Sequence, residues 1–150
     1  MGNVVTPSIV ANNILSRSFE QKKPVTQMKL QKLLYFIYRE FYKKTDKRLF
    51  NERFEAWKYG PVLPSIYHEF KQFGADPITA YSKDSKGDSF LLVESPQIKQ
   101  VIDEVWTQYR SYSGIELSQI THRIGTPWYK AWQTYNDFLM DEDILADYEW

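Results

Sequence analysis

Thr26-Gln27-Met28-Lys29-Leu30-Gln31-Lys32-Leu33-Leu34-Tyr35-Phe36-Ile37-Tyr38-Arg39-Glu40-Phe41-Tyr42 is the stretch on which the reading of this chain turns. Leu30, Leu33, Leu34, Ile37 and Phe41 recur at helical spacing and form the best amphipathic stripe in the sequence. Thr26 offers an N-cap. Lys43, Lys44, Lys47 and Arg48 crowd the C-terminal end, where the helix dipole favours cations. The opposite face is not simply polar, because Lys32, Arg39 and Lys43 interleave there with Tyr35, Phe36 and Tyr42. Such a helix is either sandwiched within the fold or offers a basic, aromatic surface.

Upstream, Thr6-Pro7 reads as an N-cap followed by a first-turn proline, and Val10, Ala11, Ile14 and Leu15 carry a helix to about Glu20, before the Lys22-Lys23-Pro24 break. Downstream, Arg53 to Trp57 alternates as a short strand, which a turn at Gly60-Pro61 should stop. Pro64 opens a helix in which Leu63, Ile66, Tyr67, Phe70 and Phe73 keep helical spacing up to Gly74. Ile78–Ser82 and Phe90–Val93, joined through Lys86-Gly87, are expected to form a hairpin. Ser95-Pro96 then starts a helix with a stripe of Ile98, Val101, Ile102, Val105, Tyr109 and Tyr112. Ser113-Gly114-Ile115-Glu116 has the form of a capping box, Thr126-Pro127 opens another helix, and Asp141, Glu142 and Asp143 suit the start of a last short one. No repeat or linker divides the 150 residues. The expectation is one α+β domain over residues 1–150, predominantly helical, with a small antiparallel sheet or hairpin.

The absence of cysteine removes disulfides, thiolate nucleophiles and thiolate metal sites together. No basic segment leads into an apolar run at the N-terminus, and no stretch approaches the roughly 18 apolar residues of a spanning helix, so a cytoplasmic protein without membrane contact is expected. Net charge is zero, yet the basic residues concentrate in residues 1–75 and the acidic ones in residues 76–150; the tail from Asp137 to Trp150 has acids and no base. This asymmetry fits either charged partners or pairing across the fold. Glycine-rich nucleotide loops and the Gly-x-Ser-x-Gly elbow are missing. His68-Glu69 begins like a zinc-protease motif, but Gln72 stands where the second histidine is required. With only His68 and His122, a histidine-rich metal site is excluded. The basic residues are dispersed and no recognition helix stands apart, which disfavours nucleic acid as a partner. The nine Phe, five Trp and eleven Tyr suit both a core and a binding surface.

Three segments together carry a resemblance: Lys29-Leu30-Gln31-Lys32-Leu33-Leu34-Tyr35-Phe36; Ala56-Trp57-Lys58-Tyr59-Gly60-Pro61-Val62 with Pro64, Tyr67 and Phe70; and Glu116-Leu117-Ser118 with Thr121-His122 and Pro127-Trp128. In this order and separation they resemble the Panacea domain family, SocA-like and phage-associated GepA-like antitoxins, over about residues 7–132. The resemblance implies a non-enzymatic type II antitoxin, without catalytic residue, cofactor or metal, that binds a cognate toxin protein encoded by an adjacent gene. It also implies, as alternatives, an adaptor that delivers a toxin to an AAA+ protease; a nucleic-acid-binding repressor is a further alternative from the residues. Most motif residues, Leu30, Leu33, Leu34, Trp57, Tyr67, Phe70 and Trp128 among them, are expected in the core. Lys32, Tyr35, Arg39 and Tyr42 are the candidates for partner binding, because polar groups are costly to bury unpaired. His122 is expected to cap or hydrogen-bond within the fold.

Overall fold

The computed structural model describes residues 5–84, 86, 87, 89, 91, 93 and 95–150. Helix α1 spans Pro7–Gln21 and α2 Gln27–Thr45; strands β1 (Glu55–Trp57) and β2 (Gly60–Val62) follow, then α3 (Pro64–Phe70) with a 3-10 turn over Lys71–Phe73. The second half holds α4 (Pro96–Tyr109), α5 (Gly114–Thr121), α6 (Pro127–Gln133) and α7 (Asp141–Leu145). This is an α+β fold with seven α-helices and one two-stranded antiparallel sheet among the described residues.

Helix starts lie where the side-chain chemistry places them. Thr6, Thr26, Ser95, Ser113 and Thr126 each accept from the backbone N–H three residues on, and proline follows the cap in α1, α4 and α6. The Ser113–Glu116 capping box is complete: Glu116 N donates to Ser113 Oγ at 3.1 Å and Ser113 N to Glu116 Oε1 at 2.8 Å. Helix α2 is the hub, packed against α1, α3, α4, α5, α7 and β2. Every side chain from Lys29 to Arg39 is buried, so the helix is enclosed on all sides, as the sandwiched reading requires. Around it, Phe36 stacks on Tyr109, and Tyr35 and Tyr38 meet Phe54 edge-on.

Two local expectations are corrected. The first strand stops before Gly60-Pro61 as expected, but the turn lies at Lys58-Tyr59, and Gly60-Pro61 opens β2, which pairs with β1 in the register Glu55–Val62, Ala56–Pro61, Trp57–Gly60. Ile78–Ser82 is not a strand. Its backbone bonds go to other partners: Ile78 N donates to Val25 O at 2.9 Å, and the Asn12 amide of α1 makes reciprocal bonds with Ser82 N and O at 2.8 and 3.0 Å. Phe90 and Leu92 of the expected second strand lie outside the described residues.

Candidate functional site

The site is assembled around the β1–β2 turn. Three consecutive turn carbonyls are engaged by side chains from the second half of the chain. Trp128 Nε1 donates to Trp57 O at 2.6 Å, His122 Nε2 lies 3.0 Å from Lys58 O, and Ser118 Oγ donates to Tyr59 O at 2.7 Å. His122 Nδ1 also meets Ser118 O at 2.6 Å, and the imidazole packs on the Trp128 ring at 3.8 Å. His122 therefore hydrogen-bonds within the fold. On the other side, Gln31 holds the chain leaving β2 by reciprocal bonds to Leu63 N and O at 2.8 and 3.1 Å. An isolated β-hairpin would leave these groups to water; here they lock it onto α2, α5 and α6.

At Gly60 the chain runs at φ +120°, and a Cβ there would come within 2.6 Å of Lys32 Cε and 2.8 Å of Thr121 Oγ1. Glycine is required both by the backbone conformation and by the seat of Lys32. The Lys32 side chain is 1% exposed, and its Nζ donates to Pro61 O at 3.4 Å. Burial alone pushes this ammonium down from 10.5 to about 7, with no charged neighbour offsetting it.

Beside Lys32 opens a cleft of about 710 Å³, walled by α2, the β1–β2 turn, α3 and the start of α5. Met28, Trp57, Tyr59, Val62, Tyr67 and Ile115 supply its apolar lining. Tyr59 and Ile115 are 57% and 65% exposed at its rim. Among the described residues the lining includes Lys32 and Lys58 and no carboxylate. Gln27 Oε1, on the same wall, is buried without a hydrogen-bond partner, while its amide nitrogen donates to Tyr67 O at 3.0 Å.

The four partner-binding candidates do not form one open surface. Lys32 belongs to the cleft wall. Tyr35 and Arg39 are buried further along α2, beneath the C-terminal tail. Tyr35 Oη donates to Asp147 Oδ2 at 2.6 Å, and Arg39 Nη1 donates to the same oxygen at 3.1 Å and to Glu149 O at 2.7 Å. The Arg39 guanidinium lies 4.8 and 4.9 Å from the Phe36 and Trp150 rings. Tyr42 is half-buried, edge-on to Tyr38. The acidic tail, with a base-free sequence, thus supplies the counter-charge for Arg39 of α2. Of the expected core residues, Leu30, Leu33, Leu34, Phe70 and Trp128 are buried, but Trp57 and Tyr67 are half-buried and line the cleft. Met28 and Ile115 were missed in the sequence reading. Ile115, an apolar residue in the first turn of α5 and off its buried stripe, is the signal that could have found it.

The cleft and its supports are built from all three segments of the resemblance, and a family model described as antitoxin SocA-like, Panacea domain, matches residues 30–129. The chain belongs to this family. The Panacea domain here is also similar to the protein named antitoxin SocA from Caulobacter vibrioides (strain NA1000 / CB15N), with 34% identity over 124 residues, covering 79% of this chain and 66% of that protein. It therefore spans just under two thirds of that relative's length. No solved structure matches the chain. No helix among the described residues is long and apolar enough to cross a membrane, and no group of three or more potential metal-binding side chains occurs among them.

Proposed function

We propose that this Panacea domain is the antitoxin of a type II toxin–antitoxin pair and neutralises a cognate toxin, encoded by the adjacent gene, through direct protein contact. Membership of the SocA-like family carries the reading. The apolar cleft supports it, because exposed apolar surface framed by aromatic side chains is typical of interaction sites. Co-expression with the adjacent gene should restore the growth that the neighbour alone arrests, and the two proteins should co-purify. Continued arrest in the presence of stable antitoxin would refute neutralisation of that neighbour. Measuring toxin half-life in the same cells separates inhibition, in which toxin persists in the complex, from delivery to an AAA+ protease, in which it disappears.

A further inference from the structure

The cleft beside the β1–β2 turn has a charge pattern that its role in folding does not explain. Its lining includes two lysines and no acid among the described residues. The first turns of α2 and α5 also line it, through Thr26, Gln27 and Met28 and through Gly114 and Ile115. Helix N-termini carry partial positive charge, and the two helices have 19 and 8 residues. Lys32 is the independent second feature: a buried amine whose one hydrogen bond is a long contact to Pro61 O. A buried amine without a counter-ion gives up its proton readily, and a carboxylate brought beside it would hold the charge in place. Gln31 and Ser113 add neutral polar groups, and the remaining side chains, Trp57, Tyr59, Val62, Tyr67 and Ala75, are aromatic or aliphatic.

We propose that this cleft receives an apolar segment of a protein partner that brings one carboxylate to Lys32. The inference rests on the reading of this chain as a toxin-binding protein and names the surface and partner chemistry for that contact. A peptide fits better than a free carboxylic acid for two reasons. Gln27 Oε1 at the same wall is an unfilled acceptor, and a peptide brings N–H donors along with its carboxylate. Tyr59 and Ile115 continue the apolar surface out of the cleft onto the rim, where a chain longer than one small molecule would lie.

The test is selection of random 12-residue peptides displayed on phage against the full chain, followed by fluorescence-polarisation titration of the enriched sequences. Enriched peptides should pair an aromatic or aliphatic residue with a nearby Asp or Glu. Replacing that acid by its amide, or Lys32→Met in the protein, should weaken binding at least tenfold. Tyr59→Ser with Ile115→Ser, both at exposed positions, should weaken it similarly while circular dichroism and melting temperature hold; this pair keeps the test decisive if Lys32→Met disturbs folding. Enrichment without acids, or affinity indifferent to both sets of variants, would overturn the proposal. So would octanoate binding as tightly as the peptides, since a small carboxylate would then be the natural occupant. Toxin neutralisation that survives the Tyr59→Ser/Ile115→Ser pair would refute the cleft while leaving the antitoxin reading standing. Peptide binding without any toxin neutralised would do the reverse.

Discussion

Arg39 and Lys32 sit on the same helix, both almost without exposure, and are handled in opposite ways. Arg39 is surrounded by compensation: the Asp147 carboxylate, the Glu149 carbonyl, Glu40 at 2.7 Å and two aromatic faces. Removing one member of such a buried pair leaves the other uncompensated. Asp147→Asn or Arg39→Met should therefore lower unfolding free energy by roughly 3 kcal/mol in urea titrations, whereas a surface pair such as Lys44–Glu104 should cost under about 1 kcal/mol. Lys32 has no such counter-charge, and its proton is correspondingly weakly held. The unfolded chain keeps that proton to about 10.5 and the folded chain only to about 7, so between these values the unfolded state binds more protons. Stability should climb as pH rises from 7 to 9, with a contribution of at most about 1.4 kcal/mol per pH unit. Well below 7 both states are protonated and Lys32 adds no slope. Lys29, pushed down to about 8 chiefly by burial, acts in the same direction. Denaturation of wild type and Lys32→Met across this range should show a flatter profile for the variant; parallel profiles would show that Lys32 does not titrate there.

Elements with local signals were legible. Each capped start needs only a hydroxyl side chain and the N–H three residues later, so Thr6, Thr26, Ser95, Ser113 and Thr126 could be read directly. Ser113→Ala should destabilise the protein by about 1 kcal/mol, measured by thermal or chemical denaturation, because it removes half of the capping box. It also belongs to the cleft lining, so the same variant reports whether the α5 start and the cleft are coupled. The expected hairpin over Ile78–Ser82 failed for a nonlocal reason. The segment lies between turn signals, but at its two ends Ile78 N is bonded to Val25 O and the Ser82 N and O to the Asn12 amide rather than to a neighbouring strand. The sheet formed instead across the Lys58-Tyr59 turn, where side chains from α5, its C-cap and α6 satisfy the exposed carbonyls.

For the whole molecule, the charge asymmetry along the chain becomes pairing in space. Arg17 meets Asp103 at 2.5 Å, Lys44 meets Glu104 at 2.6 Å, Arg48 meets Asp141, and Arg39 meets Asp147, each a base from the first half against an acid from the second. By itself the sequence determined the helix starts, the apolar stripe of α2, the predominantly helical class and the family, because these depend on residues a few positions apart or on motifs in fixed order. Only the tertiary structure decided that α2 has no open basic face. The partners that bury it come from far along the chain: Asp147 lies 108 residues from Arg39, and Arg110 O, which accepts from Lys29, lies 81 residues away. The same distance separates sequence from site. Trp57 and Tyr67 have core composition, and only the packing of the β1–β2 turn against α2 and α5 leaves their faces on a cleft, since burial is a property of what the rest of the chain covers.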